Sequence, residues 1–392
     1  MSEPKFSQFQ YTDTETLTFL AEDVDCSLLN AIRRIIIGEV PTVGFRTEYG
    51  RDSDIKIIKN TSALHNEFLA HRLSLIPIHY DFNKFDDFNP DKYQFVIKKQ
   101  NNTNRIMDVT TEHIDVKDIT KDPPTIMSDD FRENLFPRDS ITKDFILINK
   151  LKPSKSGIGE EGEELDIIMR PTMGIGNENS LFCPTCVSVF TNVQDPDKVE
   201  AEFNDLIEKK NAERKGNPLT KQEISAERLT FNSLDAQRQF YTDERGEPNK
   251  FQFTIESDGR IPSHVILTMS MDIFKDHIRQ FVDRVKNETE VEIYNSDCIM
   301  NSYDVAISDE DYTMGYLLQY YVYKLYQNVE NPVVKYVASN VPHPLESKLV
   351  FRIGMVESGT KPEVIRTLIT NTCQVISNQI SKLKQTVTST KF

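Results

Sequence analysis

The chain has 392 residues, a formal net charge of −15 and five cysteines. Its length is sufficient for two or three domains with separate cores. The acidic balance argues against a general nucleic-acid-binding surface, which needs clustered cations, and the few cysteines indicate a reducing compartment and not a disulfide scaffold.

The N-terminal segment, residues 1–11, is polar and lacks the apolar region of a secretory signal. The apolar run Ile35-Ile36-Ile37 is far too short to cross a bilayer. We therefore expect an intracellular protein that does not bind a membrane.

The first predicted helix follows Glu22. Its apolar side chains recur at helical spacing and form one stripe: Leu28, Leu29, Ile32, Ile35 and Ile36. Asp25 and Ser27 are candidate N-caps, and Gly38 and Pro41 mark the end of the helix before a short valine-containing strand. These features define the first part of a predicted module, residues 1–46.

A β-rich domain is predicted to interrupt this module at residues 47–191. Turns rich in Asn, Pro and Gly separate its strand candidates, which are residues 93–98, 141–149, 165–169 and 187–190. Residues 192–250 are highly charged, with helical spacing around Val199 and Phe203. We expect this stretch to be a peripheral helical excursion.

A repeated pattern closes the module and recurs near the C-terminus. Residues 253–267 and 355–368 each read as a strand, a Glu-Ser pair, a turn with Gly, a Pro and an amphipathic helix. A second repeated pattern lies upstream, where each module has a helix followed by a strand that starts at a proline, Pro41 or Pro332. We therefore predict a closing part at residues 251–290 and a second module at residues 291–392.

The predicted fold class is α+β, with two helix–strand–strand–helix modules paired pseudo-symmetrically within one chain. One such module cannot cover its own apolar helix face, and burial of that face contributes about 25 cal/mol per Å². The residues predicted to form this intrachain dimer are Leu29, Ile32, Ile36, Phe274, Ile278, Phe281, Leu317, Leu318, Tyr321, Ile369, Ile376 and Ile380.

Several segments resemble subunits of cellular RNA polymerases. Ser27-Leu-Leu-Asn-Ala-Ile-Arg-Arg-Ile-Ile-Ile-Gly-Glu-Val-Pro-Thr and Asn60-Thr-Ser-Ala-Leu-His-Asn-Glu-Phe-Leu-Ala-His-Arg-Leu resemble the α-like subunit, which is the third largest in eukaryotic RNA polymerase II. Asp309-Glu-Asp-Tyr-Thr-Met-Gly-Tyr-Leu-Leu and Val341-Pro-His-Pro-Leu-Glu-Ser-Lys-Leu resemble the eleventh subunit. A single chain that joins the two is similar to what large DNA viruses encode.

The resemblance implies a non-catalytic assembly platform on which the two large catalytic subunits of a DNA-directed RNA polymerase dock. Its partners would be these large subunits and small polymerase subunits. The resemblance implies neither a homo-oligomer nor direct sequence-specific contact with nucleic acid. The expected location is the host cytoplasm, in a viral factory, with the virion as a second location and the nucleus left open.

Two groups of residues carry the expected contact with the large subunits. The first is Asn30, Arg33 and Arg34, because a guanidinium suits carboxylates and carbonyls at a buried interface; the alternative is a solvated outer helix face. The second group combines a polar cluster that supports the inserted domain with a large-subunit contact, and its members are His65, Glu67, Phe68, His71 and Arg72. A metal site there is disfavoured, because histidines six residues apart point in different directions on a helix.

No catalytic residue, metal site or cofactor is predicted in this chain. Cys183 and Cys186 form a CxxC pair, but a structural zinc needs four ligands and no second pair lies nearby. The acidic groups before the helices fit capping better than catalysis. Two alternatives stay open, a zinc- or thiol-dependent protein centred on the CxxC pair and an adaptor of another assembly.

Overall fold

The computed structural model describes residues 3–47, 53–80, 89–154, 162–214, 217–296 and 300–392. Within these residues the strands are β1 (Lys5–Tyr11), β2 (Thr16–Glu22), β3 (Thr42–Gly44), β4 (Ile55–Asn60), β5 (Tyr93–Gln100), β6 (Met107–Thr110), β7 (Ile114–Asp118), β8 (Thr125–Ile126), β9 (Leu147–Leu151), β10 (Glu164–Met169), β11 (Thr172–Gly174), β12 (Thr185–Asn192), β13 (Lys250–Ser257), β14 (Val291–Asn295), β15 (Ser302–Ser308), β16 (Val334–Asn340) and β17 (Lys348–Met355).

The α-helices of the same residues are α1 (Cys26–Gly38), α2 (Asn66–Ser74), α3 (Asp129–Leu135), α4 (Pro196–Glu213), α5 (Lys221–Leu234), α6 (Ser263–Asn287), α7 (Tyr312–Val322) and α8 (Pro362–Thr388). No helix in the described part of the chain combines the length and the hydropathy needed to cross a membrane.

The chain divides into two compact units. The first comprises Met1–Ile35, Val187–Glu256 and Leu267–Phe392, and the second comprises Ile36–Cys186 and Ser257–Ile266. The first unit thus holds most of both predicted modules, and the second holds most of the predicted insertion. The module boundaries given by the sequence stay predictions.

Two four-stranded sheets share one topology. The first has the order β1-β2-β13-β12, and the second has the order β14-β15-β17-β16. Each module therefore runs, in chain order, as two strands, a helix, two further strands and a long helix. In the first module the large insertion lies between α1 and β12. The α+β class with two copies of one module is confirmed.

Each module has two strands more than the predicted helix–strand–strand–helix pattern, and both precede its first helix. In β2, the alternating side chains of Leu17, Phe19 and Ala21 are buried, which is the period-two pattern of a half-covered strand. The predicted equivalence of the strands that follow Pro41 and Pro332 is wrong. The strand after Pro41 is β3, which pairs with β11 in a separate two-stranded sheet, and the counterpart of β16 is β12.

The turn that joins the last strand to the last helix contains a glycine with positive φ in both modules. Gly259 has φ +90° and Gly359 has φ +76°, a conformation that favours residues without a Cβ atom. Pro362 is the first residue of α8, and Pro262 directly precedes α6, where a missing N–H donor costs nothing. The repeat seen in the sequence therefore reflects a repeated turn geometry.

The second unit is built on a five-stranded sheet of order β4-β10-β5-β7-β8. Its core includes Phe95, Ile97 and Leu165. The strand predicted at residues 141–149 is wrong in its first half, since β9 begins only at Leu147. The reason is local, because the Asp139 carboxylate accepts hydrogen bonds from two successive backbone N–H groups after it and forms a turn.

The charged excursion forms a helical pair, α4 and α5. Its small core contains Phe203 and Phe231, whose ring centroids lie 5.4 Å apart. Three ion pairs join the helices, including Lys210 Nζ to Glu227 Oε2 and Arg214 Nη1 to Glu223 Oε1 at 2.8 Å. The prediction of helices here is confirmed.

Candidate functional site

The two modules contact each other within the first unit, where α8 of the second module packs against β1 of the first. The twelve residues predicted for the intrachain dimer are each at most 4% exposed. At the edge of this contact, the Phe392 ring lies against Phe9 with the ring centroids 5.3 Å apart. We call the whole contact between the two modules the clasp.

A buried hydrogen bond joins the first helices of the two modules. Asp25 is the N-cap of α1, and its Oδ1 accepts a bond of 2.8 Å from the backbone N–H of Leu28. Its Oδ2 accepts a bond of 2.7 Å from the hydroxyl of Tyr321 on α7. Burial, and then the nearby Asp25 carboxylate, raise the pKa of Tyr321 well above its ordinary value, so this hydroxyl stays protonated and donates.

The reverse contact links the N-cap of α7 to α1. Asp311 caps α7 by accepting from the backbone N–H of Thr313 at 2.7 Å, and it also accepts from Arg34 Nη2 at 2.8 Å. Counted from the two N-caps, Arg34 is the ninth helical residue of α1 and Tyr321 is the tenth of α7. Each capping carboxylate therefore contacts nearly the same position of the opposite helix, as expected for a two-fold axis.

Ion pairs surround the short connection between the modules. α6 ends at Asn287 and β14 begins at Val291. Arg284 of α6 pairs with Glu310 and donates to the carbonyl of Ser308 at 2.9 Å. On the other side, Arg366 of α8 pairs with Glu288 at 2.9 Å. These contacts fix the second module against the end of α6.

The first group of predicted docking residues lies on α1. Asn30 and Arg33 are partly buried, and the Asn30 Oδ1 accepts a bond of 3.0 Å from Arg33 Nε. Arg34 is exposed but is already paired with Asp311. Arg33 is therefore the better probe of an external contact, whereas a change at Arg34 also affects the clasp.

The second group lies on and beside α2, in the second unit. His65 is the N-cap of α2, and Phe68 is 69% exposed. Arg72 donates to the backbone carbonyls of Ile148 and Leu147 at 3.1 and 2.9 Å, so its guanidinium supports the insertion. Glu67 and His71 are exposed (the side chain of Glu67 is 58% exposed). A large apolar ring at the surface of a helix remains available for an external contact.

A buried arginine that sequence reasoning did not select connects three parts of the second unit. Arg260 is 8% exposed, and its Nε donates to Asp258 Oδ2 at 2.6 Å. The same guanidinium donates to Thr42 Oγ1 at 3.0 Å and to the carbonyl of Cys183 at 2.6 Å. Arg260 thus holds the turn before α6 to β3 and to the segment before β12.

Close backbone contact fixes the end of α1 within the second unit. The N–H of Asn177 donates to the carbonyl of Gly38 at 2.8 Å. A Cβ atom on Gly176 would lie 2.3 Å from the carbonyl oxygen of Ile37, which is too close for any side chain. Glycine is required at this position because two backbones touch.

The CxxC pair is not part of a ligand cluster. Cys183 Sγ lies 3.3 Å from the backbone oxygen of Thr185, and Cys186 is exposed on β12. Among the residues that the structure describes, no three His, Cys, Asp or Glu side chains are grouped to hold a metal ion. No observation therefore favours the zinc- or thiol-dependent alternative.

Comparison with known proteins gives two matches to one family description, the RNA polymerase Rpb3/Rpb11 dimerisation domain, at residues 18–278 and 302–386. The chain is similar to the DNA-directed RNA polymerases I and III subunit RPAC1 of Homo sapiens, with 25% identity over 302 residues that cover 70% of this chain and 83% of the relative. It is also similar to the DNA-directed RNA polymerases IV and V subunit 3B of Arabidopsis thaliana, with 26% identity covering 66% and 85%. The DNA-directed RNA polymerase subunit Rpo3 of Methanosphaera stadtmanae is 25% identical, covering 70% and 97%.

Proposed function

The chain belongs to the RNA polymerase Rpb3/Rpb11 dimerisation-domain family, of which it carries two copies, and on this premise we propose that it is the assembly platform of a DNA-directed RNA polymerase. In this proposal the folded clasp offers a preformed pair of modules to the two large catalytic subunits. The chain contributes no catalytic group, binds no cofactor and works in the host cytoplasm. The observation that carries the proposal is the pair of reciprocal N-cap contacts between α1 and α7.

The physical advantage of a single chain is that pairing of the modules becomes intramolecular. A short linker replaces a bimolecular association by an effective concentration on the order of millimolar. Three residues connect the last helical residue of α6 with the first residue of β14, so the second module stays beside the first. Docking of a large subunit on this platform then costs less entropy, because both halves of the docking surface are already fixed relative to each other.

We place one docking contact on the outer face of α1, around Asn30 and Arg33. The guanidinium of Arg33 uses its Nε on Asn30 and retains Nη donors for a partner carboxylate or carbonyl. We place a second contact on α2, where Phe68 is exposed. An exposed aromatic ring of this kind is typical of the anchor of a protein interface.

The test is co-purification of the tagged full chain with the large polymerase subunits. Arg33→Glu is expected to abolish or strongly reduce recovery of a large subunit while the circular dichroism spectrum of the isolated chain stays unchanged. The matched control is Lys209→Glu with Arg238→Glu, two exposed charge reversals on and beside the helical pair. Unchanged recovery with Arg33→Glu would refute docking at α1, and absence of any polymerase subunit with the unmodified chain would refute the proposed function.

A further inference from the structure

The outer face of α7 presents a row of tyrosines. Tyr312, Tyr316 and Tyr323 are 40%, 54% and 40% exposed, and the partly buried Tyr320 lies between the last two. Their spacing is four, four and three residues, which places Tyr312, Tyr316 and Tyr320 on one side of α7. Tyr323, the first residue after the helix, continues the same side. We call these four residues the tyrosine stripe.

The clasp does not account for the exposed Tyr312, Tyr316 and Tyr323, although Tyr320 packs edge-on against Tyr321 with the ring centroids 5.4 Å apart. The tyrosine that the clasp uses is Tyr321, which is 4% exposed and bonded to Asp25. When α1 and α7 are aligned at their N-caps, Tyr316 takes the position of Asn30, and Tyr320 takes that of Arg34. The two outer helix faces are therefore equivalent in position but opposite in chemistry, cationic on α1 and aromatic on α7.

The stripe favours a cationic ligand. The rings of Tyr312 and Tyr316 are stacked at 18° with centroids 5.4 Å apart, which leaves an extended aromatic surface. Lys324 Nζ lies 5.5 Å from the centroid of Tyr320, so one ring of the stripe already faces a cation. At the N-terminal end of the helix, Asp309 is exposed, whereas the exposed Asp311 is already paired with Arg34.

The chemistry of this surface distinguishes between two classes of macromolecule. Aromatic faces attract a guanidinium through the ring quadrupole, and nearby carboxylates add to that attraction. Nucleotide bases also stack on tyrosines, but phosphates need cations. The exposed Asp309 carboxylate beside the stripe and the net charge of −15 therefore favour a protein partner.

We propose that the tyrosine stripe is a docking surface for an arginine-bearing helix of a protein partner. Arginines at helical spacing on that partner lie over the rings of Tyr312 and Tyr316, and their outer N–H groups reach the exposed Asp309 carboxylate before α7. This surface goes beyond the proposed function, because it binds its partner whether or not α1 contacts a large subunit.

The test is a titration of the isolated full chain with a fluorescent synthetic helix of about 18 residues, long enough to be partly helical, that carries three arginines on one face. The matched probe has lysines in place of the arginines. Tyr312→Ala with Tyr316→Ala is expected to weaken binding of the arginine peptide by roughly 5- to 30-fold, since each ring contributes a cation–π contact. Tyr312→Phe with Tyr316→Phe retains both rings and is expected to bind as the unmodified chain does.

Three results would overturn the proposal. One is equal binding of the arginine and lysine peptides, which would indicate general charge attraction. Another is unchanged binding after both alanine substitutions in a chain whose circular dichroism spectrum is preserved. The third is tight binding of a single-stranded oligonucleotide that the same substitutions abolish. None of these results depends on co-purification of large subunits, so failure here is separate from failure of the proposed function.

Discussion

The hydrogen bond between Tyr321 and Asp25 provides the most direct test of the clasp. Tyr321→Phe removes the hydroxyl and leaves every other contact of the ring in place. The two residues are 4% and 8% exposed, and their oxygens lie 2.7 Å apart. A hydrogen bond to a charged group contributes roughly 1.5–3 kcal/mol. The pair borders a cavity of about 490 Å³, which is large enough for water, so we expect a loss of about 2 kcal/mol.

A double-mutant cycle separates this bond from the capping role of Asp25. Asp25→Asn preserves an N-cap, because asparagine caps helices about as well as aspartate. The cycle of Tyr321→Phe and Asp25→Asn should therefore report a coupling energy on the order of 1–2 kcal/mol. The free energy of unfolding is obtained from urea titration followed by far-ultraviolet circular dichroism, with tyrosine fluorescence as a second probe, because the chain has no tryptophan.

The control for this cycle is Tyr316→Phe, which removes an exposed hydroxyl from the same helix. It should leave the unfolding midpoint unchanged. If Tyr321→Phe also left the midpoint unchanged, or if the two substitutions of the cycle were additive, the bond would not stabilise the paired modules.

Three further predictions concern other parts of the chain. Arg260→Met should lower the free energy of unfolding of the second unit by about 3 kcal/mol, because the Asp258 carboxylate, the Thr42 hydroxyl and the Cys183 carbonyl all lose the hydrogen bonds of a buried guanidinium, whereas Arg279→Met, at an exposed ion pair, should have no measurable effect in the same urea titration. Gly176→Ala should destabilise by more than about 2 kcal/mol, since its Cβ would meet the Ile37 carbonyl; a melting temperature equal to that of the unmodified chain would contradict this. Burial raises the pKa of Cys373 to about 12 from 9.0, so the unfolded state releases this proton first and stability should fall by about 1.4 kcal/mol per pH unit from pH 9 to 12. Urea midpoints measured across that range should show a shallower decline for Cys373→Ala.

The helices of both modules could be predicted from the sequence because an amphipathic helix records its buried face in a local period. Leu28, Leu29 and Ile32 on α1 form such a stripe, and all are fully or almost fully buried. The repeated turns were also visible, since Gly259 and Gly359 occupy a conformation that few other residues adopt. Family membership followed from long motifs that span these same elements.

The strand β15 of the second module was harder to find. β15 is buried on both faces over most of its length, so its sequence lacks the alternation of a half-covered strand. The first half of the strand predicted at residues 141–149 is wrong for a different reason, because a local turn at Asp139 competes with the apparent strand pattern. Strand pairing is a non-local property, and a short apolar segment carries little information about it.

The sequence by itself determined the class of the fold, its duplication and its family, because each of these depends on local periodicity or on contiguous motifs. Only the tertiary structure decided which side chains meet. Asp25 and Tyr321 are 296 residues apart and Arg34 and Asp311 are 277 apart, so no spacing rule connects them. The same is true of the tyrosine stripe, whose exposure depends on which face of α7 the paired module covers. Contacts of this kind arise from the packing of complete elements, which local sequence patterns do not specify.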